Sequence, residues 1–580
     1  MVWRRTLVSV GLCALLAGCS DSGGTREPAS STGGTGTGTG RPTATWTTFG
    51  AGSDNARRAA GERVGTAEAP APRWHRDLGV GMSSTPMVDG DEVVFADWGG
   101  TVHSAEASTG EDRWTFELGG AVMSSPTLTD DAVLVANGST LVCLDRATGT
   151  ERWRAEISDH PIAITPASPV VADGLVVIGT ASGELMVPVD DYTFRGSLAA
   201  FDLATGAPAW RRWFTSGDAA EGNGVGIWST PSFDPERGLL FVGTGNTYEP
   251  PAAPMSDSLV ALDAATGEVR WHRQFTYPDV WSTAHAGGLD ADVGAGPNLW
   301  TADGRDLVGA GDKAGSYHAL DRSTGDVVWE TKLTPGSVLG GVIGTAALSG
   351  DSIVVASNVG GDANAPGSTS RVVSLDRGDG TIRWAADLDS TVFAPVTVTD
   401  DVALVGTVGG SFVALRLDDG SEAWRIAAPD QVGSGASVVD GVIYWGYGYA
   451  LFSRGDPAGG VFAFGARSFG AGSAGAGSAG ATGASGGGGA TDDAHDHPES
   501  ASAGDRGAEL YTRHCSACHG ATGQGGVGPE LRTIAERVDE ERHLEIVHRG
   551  TGTQMPAFGE ALTDDEIAAI VDFERHRLAR

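Results

Sequence analysis

Long apolar runs and positive charge are both scarce in this chain of 580 residues. Beyond the N-terminus no apolar run is long enough to cross a bilayer, which excludes further membrane spans. The 74 acidic residues outnumber the 39 lysines and arginines, and a formal charge of −35 argues against nucleic acid or an anionic lipid surface as a partner. Glycine and tryptophan, by contrast, are abundant, with 88 and 16 residues. Together with short apolar runs they indicate many strands joined by tight turns, in two or more domains.

The N-terminus has the pattern of a secretory signal. A basic Met1–Arg5 precedes an apolar Thr6–Leu15, and Leu-Ala-Gly before Cys19 resembles a bacterial lipoprotein cleavage site. We therefore predict a signal peptide over 1–19, with Cys19 as a lipid-bearing first residue, and a tether and linker over 20–71. The alternative is an ordinary signal with a coincidental cysteine. Both interpretations place the protein outside the cytoplasm. A lipid at Cys19 would anchor it to the outer face of the cell membrane, and the alternative location is the periplasm.

A repeat dominates the middle of the sequence: an apolar strand, Asp, two residues, Thr-Gly, three residues and Trp. Asp and Thr hydrogen-bond a tight turn, Gly takes its left-handed position, and Trp packs between neighbouring sheets. Trp74 has no turn before it and Val461–Phe464 has no Trp after it, so the two are expected to join as one more unit. The sequence predicts an all-β eight-bladed β-propeller over 72–467, closed by its first strand. The seven complete copies end at Trp114, Trp153, Trp210, Trp271, Trp329, Trp384 and Trp424.

Four consecutive repeats are longer than the others. Between Trp153 and Trp384 the tryptophans are 57, 61, 58 and 55 residues apart, whereas the steps elsewhere are 39 or 40 residues. Insertions in repeat proteins gather on the binding face. The functional site is therefore expected on these four repeats.

After a Gly/Ala/Ser-rich linker over 468–504, residues 505–580 are predicted to be a small all-α domain. Its Cys515-Ser516-Ala517-Cys518-His519 is a covalent haem attachment site: the two thiols bind the haem vinyls and His519 ligates the iron. Met555 is predicted as the sixth ligand, and this ligation suits electron transfer. His543 and His548 are the alternatives. Thr563 to Glu566 forms a capping box that opens a final helix.

The cysteine inventory is then nearly complete. Cys13 leaves with the signal and Cys19 carries lipid, while Cys515 and Cys518 carry haem. With Cys143 alone remaining, no intramolecular disulfide is expected in the mature protein.

Two family resemblances follow from these motifs. The C-terminal domain resembles class I cytochrome c through Tyr511–Gly520, Gly528-Pro529 and Met555-Pro556. The propeller resembles quinoprotein dehydrogenases, above all polyvinyl alcohol dehydrogenase, which hold pyrroloquinoline quinone (PQQ) on the propeller axis. This likeness runs over Gly243–Tyr248, Val308–Gly315 and Val338–Gly341. It implies PQQ and one haem c as cofactors.

The resemblance also implies a set of quinone-site residues. Trp228 would form the floor under the quinone, Lys313 would hydrogen-bond the quinone oxygens, and Asp290 would be the catalytic base. As alternatives, Trp228 could be ordinary blade packing and Asp290 a turn residue.

A cation site is implied beside the quinone. Asp191 and Asn246 match metal ligands, with Glu184 as the alternative to Asp191, and Asp290 would also face the ion. Oxygen ligands suit Ca²⁺ or a similarly hard ion. Asp292 adds a further carboxylate, which leaves the ion open between Ca²⁺ and a lanthanide.

The leading hypothesis is thus a PQQ-dependent alcohol dehydrogenase that passes electrons to its own haem and then to an external acceptor, such as a soluble or membrane cytochrome. A PQQ-dependent aldose dehydrogenase is one alternative. A non-catalytic propeller scaffold with an electron-transfer cytochrome is the other.

Overall fold

The computed structural model describes most of the propeller and part of the C-terminal domain. The predicted signal peptide, Cys19 and the linker over 468–504 lie outside the described residues and remain predictions. No helix in the described part of the chain is long and apolar enough to cross a membrane. The described residues are 45–186, 192–217, 220–337, 339–359, 368–449, 458–465, 506–507, 510–511, 515, 523, 531–549, 558 and 562–578.

Eight antiparallel sheets form the blades, which confirms the predicted eight-bladed propeller. From inner to outer strand, blade 1 contains Met87–Asp89, Glu92–Ala96, Thr101–Glu106 and Asp112–Glu117, with Thr45–Trp46 added at its inner edge. Blade 2 contains Thr127–Leu128, Ala132–Asn137, Thr140–Asp145 and Glu151–Glu156. Blade 3 contains Val170–Ala172, Leu175–Ser182, Ser197–Asp202 and Pro208–Trp213, with Ala163–Ile164 also paired to its second strand. Blade 4 contains Ser232–Asp234, Leu239–Gly243, Ser258–Asp263 and Val269–Gln274.

The remaining blades follow the same plan. Blade 5 contains Asn298–Ala302, Arg305–Gly311, Ser316–Asp321 and Val327–Lys332. Blade 6 contains Ala347–Ser349, Ser352–Val359, Thr369–Asp376 and Ile382–Leu388. Blade 7 contains Thr397–Val398, Val402–Thr407, Ser411–Arg416 and Glu422–Ala427. Blade 8 contains Ser437–Val439, Val442–Tyr447, Gly460–Gly465 and Ala71–Asp77. Short 3₁₀ helices lie at Gly183–Met186 and Thr283–His285.

The ring closes as predicted. Ala71–Asp77, the first strand after the N-terminal segment, pairs antiparallel with Gly460–Gly465, and Trp74 lies opposite Ala463. The last blade is therefore completed by the start of the domain, which leaves no open edge between the two ends of the propeller.

The repeated Trp and Gly contact each other across neighbouring blades. The ring of Trp114 packs on Gly149 of the next turn, where a side chain would overlap it, and its Nε1–H donates to the Arg146 carbonyl at 2.8 Å. Trp153 makes the same contacts with Gly206 and with the Leu203 carbonyl, at 3.0 Å. Each repeat thus packs its Trp on the turn of the neighbouring repeat. Because every repeat needs both residues, the pattern can be recognised in the sequence.

Residues 45–64, predicted as part of the tether and linker, are bonded to the propeller. We call them the axial segment. Apart from the strand that the segment adds to blade 1, five of its carbonyls accept hydrogen bonds of 2.7–3.0 Å from the inner strands of five other blades. The inner-strand donors are Leu128, Phe233, Leu299, Leu348 and Val398, in blades 2, 4, 5, 6 and 7.

The described part of the C-terminal domain is helical, as predicted. Helices span Ile534–Arg537, Glu540–Arg549 and Asp564–His576. The predicted capping box is present: the Glu566 amide donates to the Thr563 side chain, and the Glu566 carboxylate accepts from the Thr563 amide at 2.9 Å. The final helix buries Ile567, Ile570 and Val571.

Candidate active site

Five of the predicted quinone-site residues come together at one end of blades 4 and 5. Trp228 precedes the inner strand of blade 4, and Asn246 follows its second strand. Asp290 and Asp292 lie in the connection between the two blades, and Lys313 follows the second strand of blade 5. The connections between blades and the connections that follow each second strand emerge on the same face of a propeller. Residues far apart in sequence therefore converge here.

A buried ion cluster occupies the centre of this face. The Lys313 ammonium lies 2.8 Å from Asp290 Oδ2 and 3.0 Å from Asp292 Oδ2, and the Lys313 amide donates to the Asp292 carbonyl at 2.9 Å. The same Nζ is 5.6 Å from the centre of the Trp228 ring. All three charged side chains are buried.

Burial and charge shift the titration of this cluster. Burial raises the pKa of Asp290 to about 7; the Lys313 charge lowers it and the Asp292 charge raises it. Burial lowers the pKa of Lys313, but Asp292 and Asp290 outweigh that effect and raise it overall. Lys313 therefore stays charged at neutral pH, while Asp290 can gain or lose a proton there, as a general base requires.

Trp228 is half-buried and held flat by a glycine. Its ring packs so closely on Gly294 that any side chain at position 294 would overlap it. The next residue, Ser229, is buried and exchanges two 2.9 Å hydrogen bonds with the backbone of Gly243. The indole is thus held by its packing on Gly294 and by the bonds of the adjacent Ser229. A ring held in this way suits stacking on a flat cofactor.

Asn246 is bonded to its neighbours through its amide nitrogens. Its Nδ2 donates to the Trp281 carbonyl at 2.6 Å and to the Thr247 carbonyl at 2.8 Å. Its backbone amide donates to Asp292 Oδ1 at 2.5 Å. Because both amide hydrogens are used, the remaining polar atom of the side chain is Oδ1, an acceptor that a hard cation can bind.

Glu184 is the buried carboxylate of the blade 3 insertion. It accepts from the Phe194 amide at 2.8 Å, from the Thr193 amide at 3.1 Å and from the Thr193 hydroxyl at 3.0 Å. Burial raises its pKa, but the contact with His160 and these bonds outweigh that effect and lower it overall. Asp191, predicted for the metal, lies outside the described residues, so Glu184 is the acid whose position is known.

Tyr248 is buried near both Glu184 and the cluster. Burial raises the pKa of its hydroxyl well above the ordinary value, and the charges of Asp292, Glu184 and Asp290 raise it further. These acids therefore lie close enough to one another to act on one buried hydroxyl.

Negative charge is in excess around Lys313. Besides Asp290, Asp292 and Glu184, the carboxylate of Asp279 is buried here, and so is Asp257, whose pKa is raised well above its ordinary value by burial and by the neighbouring acids. The Oδ1 atom of Asp290 has no hydrogen-bond partner among the described residues. No group of three or more His, Cys, Asp or Glu in the described part forms a ready metal site, and Lys313 contacts both Asp290 and Asp292. The excess charge and the unpartnered oxygen nevertheless fit an added hard cation.

Two buried acids at this site, Asp257 and Asp279, were not predicted from the sequence, and Asp279 has the more telling contacts. Asp279 is buried and accepts from the amides of Leu289, Asp290 and Ala291, at 3.0, 3.3 and 2.6 Å. A signal existed only in its position, eleven residues before Asp290 in the same long connection.

In the C-terminal domain, Cys515 is buried in the apolar core, and its amide donates to the Tyr511 carbonyl at 2.9 Å. Cys518, His519 and Met555 lie outside the described residues. Of the alternative iron ligands, His543 is buried with its Nε2 2.9 Å from Glu574 Oε2, and His548 is exposed.

Comparison with known proteins agrees with this arrangement. The family model described as "Glucose/ethanol/alcohol dehydrogenase, beta-propeller domain" matches residues 158–338, which include the whole cluster. The model described as outer membrane protein assembly factor BamB matches residues 58–191 and 313–467, and that of the cytochrome c oxidase cbb3-type subunit III matches residues 502–573.

Individual relatives are dehydrogenases. A polyvinylalcohol dehydrogenase of a Pseudomonas species is 28% identical over 470 residues, which cover 70% of this chain and 73% of that protein. Quinohemoprotein alcohol dehydrogenase ADH IIB of Pseudomonas putida is 27% identical over 44% of this chain and 42% of its own length. The solved structure of quinohemoprotein alcohol dehydrogenase ADHIIG from Pseudomonas putida has the same fold, with a TM-score of 0.65 at 19% identity, and covers 92% of this chain and 95% of that one. The chain is therefore a homologue of the PQQ-dependent quinohaemoprotein alcohol dehydrogenases, a PQQ-type propeller followed by a cytochrome c domain.

Proposed function

We propose that this protein oxidises an alcohol at the Lys313 cluster with bound PQQ and passes the electrons to its own haem c. The observation that carries the proposal is the convergence of Lys313, Asp290 and Asp292 beside the fixed ring of Trp228. A buried acid whose pKa is near neutrality, next to a flat aromatic surface, is what proton abstraction beside a planar cofactor needs.

In this proposal each side chain has one task. Trp228 stacks on the cofactor, and Lys313 donates hydrogen bonds to its oxygens. Asp290 accepts the proton of the alcohol hydroxyl, while the bound quinone supplies the acceptor for the hydride of the alcohol carbon.

Asn246, Asp290 and Asp292 would hold a hard cation with Glu184 or Asp191. A cation of this kind supplies Lewis acidity and offsets the excess of buried carboxylates. Three aspartate and glutamate ligands suit Ca²⁺, and a fourth would favour an ion of higher charge such as a lanthanide.

We propose that exposed apolar side chains form the rim of the site and favour an alcohol with an apolar chain. Of the large apolar side chains that the structure describes, the three most exposed are Leu289 at 66%, Tyr277 at 65% and Met186 at 61%. Each lies within two residues of a buried acid of the cluster. We propose a secondary or polymeric alcohol as substrate, the class to which the substrate named for the polyvinylalcohol dehydrogenases belongs. A sugar would leave these apolar side chains exposed.

The cytochrome domain provides the outlet. A two-electron oxidation needs a one-electron route, and a haem held by Cys515, Cys518 and His519 on a flexible linker stays at high local concentration. From there electrons would pass to an external acceptor such as a soluble or membrane cytochrome. Lipidation at Cys19 would keep the whole chain at the outer face of the cell membrane, with two or more acyl chains giving a stable anchor.

The test is haem reduction driven by substrate. Purified protein loaded with PQQ and Ca²⁺ is mixed with secondary alcohols, short polyvinyl alcohol or glucose, and haem absorbance is followed. We expect reduction with the first two and, in the Cys515→Ser/Cys518→Ser variant, turnover only with an added one-electron dye. Reduction by glucose alone would assign an aldose dehydrogenase. A scaffold would be indicated if none of the three substrates reduced the haem and if the haem absorbance of Asp290→Ala and Trp228→Ala were the same as in the wild type.

A further inference from the structure

Asp279 closes the base of an excursion in the connection between blades 4 and 5. The chain leaves blade 4 after Gln274, reaches Asp279, and returns to the cluster only at Leu289. There the Asp279 carboxylate accepts three consecutive backbone amides: Oδ1 from Leu289 and Asp290, and Oδ2 from Ala291. One buried side chain thus joins the two ends of the loop.

The residue at the centre of this contact is strained. Asp290 has φ of +54°, in the left-handed region, which is less favourable than the ordinary regions even for aspartate, one of the residues that adopt it more often. Such a conformation persists only where the surroundings hold it. The amide of Asp290 itself and the amides on either side of it all donate to Asp279, so this carboxylate is the group that fixes the local backbone.

The start of the excursion is anchored beside the cluster. The Trp281 amide donates to the Thr247 carbonyl at 2.9 Å, and the Trp281 carbonyl accepts from the Asn246 side chain. Asp290 comes later in the same connection, so its carboxylate reaches Lys313 only if the loop returns to its starting point.

We propose that Asp279 is the positioning residue that holds the strained Asp290 backbone and so directs the Asp290 carboxylate toward Lys313 and the substrate. This inference rests on the proposed function for its kinetic consequence, but not for its structural one. Asp279 touches no reacting atom and acts through Asp290.

The first experiment uses the apoprotein and amide hydrogen exchange. In Asp279→Ala, exchange of a peptide covering residues 286–293 should be at least tenfold faster, while peptides of the other blades keep their wild-type rates. Asp97→Ala is the matched control, because Asp97 is also a buried turn aspartate whose Oδ1 accepts a backbone amide, that of Thr101 at 3.0 Å, but in blade 1. It should lower stability without changing exchange at 286–293. Wild-type exchange of this peptide in Asp279→Ala would overturn the proposal.

The second experiment uses the holoenzyme. Asp279→Ala should lower kcat at least thirtyfold because the base is misdirected, and this fall in kcat should exceed any rise in KM, since only Leu289 of the three rim side chains loses a bond to Asp279. The kcat of Asp279→Asn should lie between those of the wild type and Asp279→Ala, because its one side-chain oxygen can still accept from the amides of Leu289 and Asp290. Unchanged kcat in Asp279→Ala, or an equal loss in Asp97→Ala, would overturn the positioning role. A wild type without turnover would count against the proposed function instead, and the exchange experiment would still decide the role of Asp279.

Discussion

The ammonium of Lys313 lies 2.8 Å from the Oδ2 oxygen of Asp290, with both side chains buried. The chain has two lysines in all, and this one stands among an excess of buried carboxylates. Removing one partner of a buried pair leaves the other charge without compensation, which costs far more than the pair itself contributes. The pair therefore contributes to the stability of the apoprotein, and the carboxylates around it favour binding of a further positive charge.

Lys313→Met should lower the free energy of unfolding of the apoprotein by about 3–5 kcal/mol at pH 8. At pH 5 the loss should be smaller, because Asp290 is then protonated. Urea unfolding at the two pH values measures both. The other lysine, Lys332, is exposed and provides the control: Lys332→Met should change stability by less than about 0.5 kcal/mol. An equal loss at both pH values would contradict the electrostatic explanation.

Gly294→Ala should weaken PQQ binding. The added methyl group overlaps the Trp228 ring, so the ring must tilt away from the stacking position, and overpacking of this kind costs about 1–3 kcal/mol. A dissociation constant raised about tenfold or more is expected, measured by quenching of tryptophan fluorescence. Gly287→Ala, in the same connection, meets no atom within 4 Å and should bind PQQ like the wild type. Normal binding by Gly294→Ala would exclude Trp228 as the floor.

The blades could be predicted because their information is local. Each Trp contacts a Gly of the next repeat, as Trp114 contacts Gly149. This Gly lies at a constant distance in sequence from the Trp of its own repeat, so the pattern is visible in the sequence. The split repeat at Trp74 likewise predicted how the ring closes. By contrast, the axial segment bonds mainly through its own carbonyls to residues far away in the chain, and nothing in its composition separates it from a tether.

The site was predictable only in part, for a related reason. The connections of the long repeats contain all five predicted residues that converge, and a family pattern points to them: Trp228, Asn246, Asp290, Asp292 and Lys313. The choice between Glu184 and Asp191 depends on which carboxylate is buried, and the sequence of the insertion is acidic at both positions. Asp279 acts on backbone amides, which every residue carries.

The stability of the apoprotein should fall as pH rises through about 7. The pKa of Asp290 in the folded state is about 7, above its ordinary value of 3.8, so the folded state binds this proton more tightly than the unfolded state. Its contribution is therefore complete below about pH 4 and is lost as pH rises through 7. Other groups are removed from the comparison by measuring wild type against Asp290→Asn at pH 5 and pH 8. A difference that does not change with pH would mean that Asp290 titrates normally.

The axial segment should stabilise the propeller from beneath the site. The Asn55 Nδ2 donates to the carbonyls of Thr230 and Pro231, at 3.1 and 3.2 Å, just beyond Trp228 in the chain. Asn55→Ala leaves two buried carbonyls without a donor, so the free energy of unfolding should fall by about 1–3 kcal/mol in urea titrations. Ser53→Ala is the matched control, since the Ser53 side chain is exposed and only its carbonyl bonds Phe233. If residues 45–64 were a tether, Asn55→Ala and Ser53→Ala would behave alike.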